Sequence, residues 1–332
     1  FGLGLGGIFF PELQQLGGIA GAGLQLLFLA HSRDAERQAD DLGFAYALEH
    51  GYDVREMALV FQSLQRIGQA SGQSPTPSWL LTHPDPGDRI VAVERRLAEA
   101  GITGAQQLRI GSQAYFDRID GLVYGENPRN GFFRDELFLH PDLRFQLRFP
   151  SGWNRQNLAQ AVLAVSPQQN AAIQLTLSDA PTMDSAAQRF LTQQGLDPGP
   201  SSRQTVNGLQ AIFSPFRARS NTEILQGVVA FIAHEGKVYQ LIGYAPLNAY
   251  SSYEAAIVQS LRSFAQLTDP QALSVQPNRI RGVRVPQTMT LREFDQRYPS
   301  AIPIAELAIL NQLAGPDAVI PAGGLMKQVV AN

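Results

Sequence analysis

The first hundred residues space their apolar side chains at the period of an α-helix. This spacing predicts a helix over residues 32–50, which Gly51 ends, followed by a second helix whose apolar stripe forms a core. A third helix is predicted from Asp85, because Asp85 and Pro86 are typical of an N-cap and a first helical position. The apolar positions of the first two helices are Ala35, Ala39, Leu42, Tyr46, Ala47, Met57, Val60, Phe61, Leu64 and Ile67. Residues 1–110 are therefore predicted to be helical.

The pattern changes to alternation between residues 136 and 268. Residues 143–149 alternate apolar and polar side chains without a break, which predicts a strand with one apolar face. Asn207-Gly208 is typical of a hairpin turn, and helical patterns occupy residues 185–194 and 253–261. Further strands are predicted at residues 161–165, 171–177, 209–216, 224–233 and 237–244. This part is predicted to be an antiparallel sheet flanked by helices, an α/β sandwich.

The remaining chain is predicted to hold one small unit and two connections. Residues 111–135 are rich in Gly and Asn and predict a connection, and residues 269–280 predict a linker. Residues 281–332 have the pattern strand, helix, helix, strand, with Phe294, Leu307 and Leu310 as the expected core. The fold class is thus a multidomain α + α/β protein: helical, then an α/β sandwich, then a small βααβ module.

Composition excludes some classes of function. The 332 residues carry a net charge of −3 with 17% charged side chains, so no basic surface is expected for nucleic acid. The chain contains no cysteine, which excludes disulfides and cysteine-based zinc sites within it and leaves the redox compartment open. Residues 1–30 are apolar with Glu12 as their single charge, but Glu12, Gln14 and Gln25 interrupt the run. Buried or half-exposed helices are expected there, with membrane contact as the alternative.

Glu36 and Asp40 are the first candidate site residues. Carboxylates four residues apart share one face of a helix. If that face packs inside the protein, the two carboxylates need a cation, which a metal, an arginine or a histidine can supply. The alternative is a solvated helix face, because Arg33, Arg37 and Asp41 lie in the same stretch.

Two motifs in this region resemble a known family. Residues 32–40 read Ser-Arg-x-x-Glu-x-x-Ala-Asp, and residues 82–90 read Thr-His-Pro-Asp-Pro-Gly-Asp-Arg-Ile. Both, in this order, resemble elements of the gluzincin zinc metallopeptidases of HtpX, BepA and CAAX-prenyl endopeptidase type. The resemblance implies that residues 1–110 are the C-terminal part of a zinc metallopeptidase domain. It makes Glu36 a zinc ligand, Asp40 the carboxylate that orients a ligand histidine, and His83 a transition-state donor or an inhibitory ligand near the metal.

The motif His-Glu-x-x-His, which supplies the other two ligands and the general base in that family, does not occur in this sequence. Residues 234–238 read His-Glu-Gly-Lys-Val, which lacks the second histidine and predicts a hairpin turn. The abrupt start at Phe1 leads us to expect that the N-terminal part of the catalytic domain lies outside the chain. The chain is predicted to be inactive on its own. Because two of the three zinc ligands do not occur in it, zinc is expected to be absent as well.

Two weaker resemblances concern the other units. The strand and helix layout of residues 136–268 resembles the Mog1/PsbP-like sandwich. Residues 281–332 resemble a LysM module: residues 288–291 read Thr-Met-Thr-Leu, Leu310-Asn311 matches a Leu-Asn of that family, and residues 321–323 read Pro-Ala-Gly. Gln287 and Met289 depart from the glycine and aspartate of its first loop. The module is therefore expected either to bind peptidoglycan or to be a cap docked on the rest of the chain.

These resemblances imply a zinc metalloendopeptidase of the bacterial cell envelope, exported, periplasmic or envelope-associated, and active in protein quality control. Its expected partners are a polypeptide substrate and peptidoglycan or outer-membrane components, with no nucleic acid. The alternative is a non-catalytic envelope or peptidoglycan-binding protein that keeps a peptidase remnant as a scaffold.

Overall fold

The computed structural model describes residues 22–70, 85–219 and 224–331. Their contacts divide into two compact units, one formed by residues 127–276 and the other by residues before 127 together with residues from 277 on. Within the described residues, no helix combines the length and the apolar character that a membrane crossing requires. The predicted membrane contact concerns residues 1–30, and residues 1–21 of this stretch lie outside the described residues.

The N-terminal part of the second unit is helical, as predicted. Asp85 accepts a hydrogen bond from the backbone N–H of Gly87 at 2.7 Å, which confirms the predicted N-cap. Gly51 follows the first helix with a φ of 73°, a conformation that favours glycine. The helices are α1 (Ala22–Glu49), α2 (Glu56–Ala70), α3 (Pro86–Glu99) and α4 (Ser112–Ile119).

The predicted apolar stripe of α1 is right only for Ala47, which packs against the core, and that of α2 is right in part. Leu42 and Tyr46 are 45% and 57% exposed, whereas Phe44 is buried. The inward face of α1 instead runs through positions 36, 40, 44 and 48, because residues four apart lie above one another on a helix. On α2, Val60 is 50% exposed and Ile67 is 40% exposed, while Phe61 is buried. The core that these helices enclose is small: among the described residues, its buried apolar side chains are Phe44, Val54, Phe61 and Val93. A narrow apolar stripe on each helix is therefore enough to form it.

The first unit is the predicted antiparallel α/β sandwich. Its first strands and helix are β1 (Phe132–Arg134), β2 (Leu137–His140), β3 (Phe145–Arg148), β4 (Asn154–Asn157), β5 (Ala161–Val165), β6 (Ala172–Ser178) and α5 (Met183–Leu191). The later elements are β7 (Leu196–Pro198), β8 (Ser202–Val206), β9 (Leu209–Arg219), β10 (Ile224–His234), β11 (Lys237–Pro246), α6 (Tyr250–Arg262), β12 (Ala265–Gln266) and α7 (Pro270–Ser274). The larger sheet has the strand order β4-β5-β6-β11-β10-β9-β7, and β8 also pairs with β9. The smaller sheet has the strand order β1-β2-β3-β12.

Two apolar clusters form the core of the sandwich, one on each face of the larger sheet. Phe145, Tyr239 and Phe264 lie in the first, and Phe190, Phe216 and Phe231 lie in the second. Both predicted hairpin turns are present: Asn207 and Gly208 join β8 to β9, and the turn after His234 joins β10 to β11. Asn207 and Gly208 have φ values of 50° and 85°, which explains the Asn-Gly sequence at this turn.

The C-terminal residues form the predicted strand, helix, helix, strand unit with one additional short strand pair. The elements are β13 (Arg279–Arg284), β14 (Met289–Thr290), α8 (Leu291–Arg297), α9 (Ile304–Leu310), β15 (Val319–Ile320) and β16 (Leu325–Val330). β13 pairs with β16, and Phe294 and Leu307 are fully buried between the elements, while Leu310 is half-buried.

This C-terminal part lies in the same compact unit as the helices. The backbone N–H of Gly121 donates to the carbonyl of Ile280 at 2.8 Å, and that of Ile280 donates to the carbonyl of Leu122 at 2.8 Å. The Tyr124 hydroxyl donates to the Glu306 carboxylate at 2.6 Å. Residues 111–126, predicted to be part of a connection, thus include α4, and their backbone forms hydrogen bonds with β13.

Candidate functional site

The inward face of α1 carries the two candidate carboxylates. Asp40 is buried and Glu36, one turn before it, is half-buried. The predicted inward direction of this face is confirmed for Asp40. Phe44 continues the same face into the small apolar core. A carboxylate placed this deeply requires a positively charged partner or several hydrogen bonds.

Arg89 of α3 is that partner. Its Nε donates to Asp40 Oδ2 at 2.8 Å and its Nη2 donates to Asp40 Oδ1 at 2.7 Å, a bidentate arrangement. The same Nη2 lies 3.4 Å from Glu36 Oε2. The guanidinium carbon lies 4.2 Å from the centre of the Phe61 ring of α2, within the range of a cation–π contact. One arginine thus joins three helices.

The exposure of these side chains separates the roles of the two carboxylates. Those of Arg89 and Asp40 are only 15% and 9% exposed, and both oxygens of Asp40 accept from Arg89. The Glu36 side chain is 28% exposed and its contact with Arg89 is the longer one. Asp40 therefore anchors the cluster, whereas Glu36 lies at its more open end.

The contact between Arg89 and Asp40 was not predicted. Arg89 lies in the second motif, residues 82–90, and an arginine was one of the three possible partners of the carboxylates, beside a metal and a histidine. The signal was therefore present, but nothing in the spacing of residues 40 and 89 showed that they meet.

Two further ion pairs stiffen the surroundings of the cluster. Arg96 Nε donates to Asp41 at 2.6 Å, and Arg96 Nη1 is buried without a hydrogen-bond partner among the described residues. Arg55 forms a bidentate pair with Asp53 and also donates to the carbonyl of Thr103 at 2.8 Å. The Arg55 hydrogen bonds hold the pKa of Asp53 below its ordinary value. The turn between α1 and α2 is thereby tied to the chain that follows α3.

The donor set fits a zinc site only in part. A catalytic zinc takes three protein ligands from His, Asp, Glu or Cys, and the carboxylate of Glu36 suits one of these positions. Over residues 22–70, 85–219 and 224–331, no group of three or more such side chains is arranged to hold a metal.

The remaining predicted site residues have different outcomes. His83 lies outside the described residues, so its predicted position near a metal stays a prediction. The predicted role of Asp40, orienting a ligand histidine, also stays a prediction, because carboxylate oxygens have further lone pairs beyond those used by Arg89. His234 ends β10, and its Nε2 lies 2.9 Å from the carbonyl of Arg144, so the His-Glu pair there belongs to a hairpin, as predicted.

Solved structures align with part of this chain. The solution structure of cyanobacterial PsbP (CyanoP) from Synechocystis sp. PCC 6803 aligns with a TM-score of 0.33 and 9% identity, covering 44% of this chain and 98% of that protein. LpqN of Mycobacterium tuberculosis aligns with a TM-score of 0.29 and 12% identity, covering 37% of this chain and 83% of that protein. LpqN is involved in cell envelope biogenesis. The antiparallel α/β architecture itself rests on the strand pairing described above.

Sequence comparisons also match part of the chain. Residues 10–97 match Peptidase family M48. The human mitochondrial metalloendopeptidase OMA1 is 31% identical over 70 residues, which is 21% of this chain and 13% of that protein. The enzyme of the same name from Danio rerio is 35% identical over 83 residues, which is 25% of this chain and 17% of that protein. The chain thus aligns with less than a fifth of the length of these curated relatives. The matched residues include Glu36, Asp40 and Arg89, and they support a metalloprotease.

Proposed function

We propose that the protein is a zinc-dependent metalloendopeptidase of the bacterial cell envelope that cleaves peptide bonds in protein quality control. When bound, zinc in such a site polarises the scissile carbonyl and activates a water molecule. In this proposal, Glu36 is one of the zinc ligands. Because the chain contains no His-Glu-x-x-His, the proposal requires the other ligands and the general base to come from elsewhere in the intact protein.

The observation that carries the proposal is the pairing of Asp40 with Arg89 inside the segment that matches Peptidase family M48. This pair fixes the helical turn that presents Glu36, and it does so through two charge-assisted hydrogen bonds instead of flexible surface contacts. Catalytic and metal-binding groups need such a rigid support to keep their geometry. Asp40 and Arg89 are in this sense positioning residues.

The cellular setting and the partners belong to the same proposal. We propose polypeptide substrates, an exported protein in the periplasm or at the envelope, no nucleic acid, and membrane contact through residues 1–30. The LysM-like residues 281–332 support peptidoglycan or another envelope component as a further partner. Two contacts of these residues also support the docked cap as the role of this module: the Gly282 N–H donates to the Asp120 carboxylate at 2.9 Å, and Glu306 accepts from the Tyr124 hydroxyl at 2.6 Å.

Replacing Glu36 tests the proposal. In the intact, zinc-loaded protein we expect Glu36→Gln to abolish hydrolysis of casein and to lower the zinc content, because a charged ligand is lost from a three-ligand site. Asp34→Asn is the matched control, since Asp34 lies on the same helix with a side chain that is 78% exposed and paired with Arg37. Zinc content and activity that both survive Glu36→Gln would contradict the assignment.

One observation favours the alternative, a non-catalytic envelope-binding protein with a peptidase scaffold. Arg89 contacts both carboxylates, so the buried Asp40 has a cationic partner without a metal, as a purely structural element would. This alternative predicts an intact protein that binds no zinc, with Glu36→Gln and Asp34→Asn indistinguishable from the parent in fold and in zinc content.

A further inference from the structure

The sandwich unit contains a cavity of about 620 Å³ at the end of strand β5. The turn between β4 and β5 forms one side of it, and the last residues of β6 form the other. The buried rings of Phe145 and Tyr239 lie in its wall, and the exposed Arg189 of α5 and Asp179 form its polar rim. This cavity belongs to neither the carboxylate cluster nor the family match.

Strand β6 has an open edge along this cavity. On one side it pairs with β11 as far as Ser178, but on the other side β5 pairs with it only as far as Thr176. Beyond Thr176, Leu177 lines the cavity and is 47% exposed. Leu177 and Ser178 of β6 are therefore paired with β11 but not with β5.

The hydrogen-bond alternation indicates which backbone groups face this opening. The N–H of Ser166 donates to the carbonyl of Ala171 at 2.9 Å, at the far end of the β5 and β6 pair. In an antiparallel pair the bonded residues recur at every second position, so on β6 they are positions 171, 173, 175 and then 177. The N–H and C=O of Leu177 thus point to the β5 side, where Gln160 of the turn is next in the register and also lines the cavity. No backbone hydrogen bond joins Leu177 to this turn or to another described loop.

Two side-chain donors lie in the wall of the same cavity. Tyr239 is fully buried, and its hydroxyl has no hydrogen-bond partner among the described residues. Burial raises the pKa of Tyr239 to about 12, so the hydroxyl keeps its proton at neutral pH. His140 accepts a hydrogen bond at Nδ1 from the N–H of Leu143 at 3.2 Å, and burial lowers the pKa of His140. Its neutral ring therefore carries the proton on Nε2.

We propose that this cavity binds an extended segment of unfolded polypeptide, which pairs its backbone with Leu177 and inserts an apolar side chain toward Phe145 and Tyr239. Addition of a strand to an open sheet edge is an established way to bind peptides without a fixed sequence. The donors of the wall suit peptide carbonyl groups. The rim carries one anion and one cation, Asp179 and Arg189, which matches a neutral main chain better than an ionic ligand. The proposal does not depend on peptidase activity.

Fluorescence anisotropy with the full chain tests the proposal. The probe is a fluorescein-labelled nonapeptide of alternating leucine and threonine, and its control is the same peptide with N-methylated central residues, which removes backbone donors but keeps the side chains. We expect the first peptide to bind, and the N-methylated peptide to bind about tenfold more weakly, the effect of losing one or two hydrogen bonds.

Two leucine variants locate the binding. Leu177→Asp places a charge at the open edge, and we expect it to weaken peptide binding by about tenfold or more. Leu247→Asp is the matched control, because Leu247 is a 41% exposed leucine of the same unit that does not line the cavity. In the unmodified chain, bound peptide is expected to slow hydrogen exchange in residues 157–162 and 175–179.

Three results would overturn the proposal: equal binding of the two peptides, equal binding by the two leucine variants, or exchange protection confined to another face. Binding of a labelled fatty acid in place of the peptide would likewise replace it with a site for a small apolar ligand.

Discussion

The helical region and the sandwich are stabilised by different forces. The helices bury Phe44, Val54, Phe61 and Val93 and depend on an ion pair whose side chains, Asp40 and Arg89, are only 9% and 15% exposed. The sandwich has an apolar cluster on each face of its larger sheet, and its ion pairs lie at the surface, as in Arg203 and Asp184, which are 63% and 67% exposed. The small core is thus accompanied by a buried charged anchor, whereas the pair Arg203 and Asp184 of the sandwich lies at the surface.

The largest effect of a single substitution is expected in the sandwich. Phe231→Ala removes a fully buried ring that lies 6.1 Å from the ring of Phe190, and we expect the free energy of unfolding to fall by about 3–5 kcal/mol. Urea unfolding followed by hydrogen exchange measures this loss in residues 127–276 separately. A loss below about 1 kcal/mol, the ordinary effect of a surface change, would mean that the sheet core is not the main source of stability.

A smaller but more informative effect is expected from the anchor. Arg89→Met keeps most of the apolar volume but leaves the Asp40 carboxylate buried without a cation, so we expect a loss of about 3 kcal/mol confined to α1, α2 and α3. The same exchange experiment measures it.

Arg95→Met is the control for the anchor, because the side chains of Arg95 and Glu99 are each 67% exposed and such pairs contribute about 0–1 kcal/mol. Equal losses for Arg89→Met and Arg95→Met would remove the distinction between the two regions.

Local features of the fold were accessible from the sequence. The alternation of apolar and polar residues predicted the long strands, Asn207-Gly208 predicted a turn with positive φ, and Asp85 predicted a helix N-cap. Each of these features depends on residues that are close together in the sequence. The direction of α1 was accessible only in part: the spacing of Glu36 and Asp40 indicated that they share one face, but the apolar pattern did not show that Leu42 and Tyr46 are exposed. An assignment from hydrophobicity alone places Leu42 and Tyr46 inside the protein and the two carboxylates at its surface.

Features that depend on distant residues were also missed. Asp40 and Arg89 are 49 positions apart, and their contact depends on how α1 and α3 pack. Residues 279–284 pair with residues 325–330 and also bond to the chain after α4, so a small terminal unit and an expected connection share hydrogen bonds. The open edge at Leu177 follows from the register of β5 on β6, which no local pattern contains.

The central claim is that the anchor of Asp40 and Arg89 presents Glu36 as a metal ligand, and a crystal structure of the intact, zinc-loaded protein measured at the zinc absorption edge tests it most directly. We expect an anomalous peak about 2.0–2.2 Å from a Glu36 carboxylate oxygen, while Asp40 keeps both hydrogen bonds to Arg89. A zinc peak remote from Glu36, or zinc bound by Asp40 with Arg89 displaced, would contradict the account.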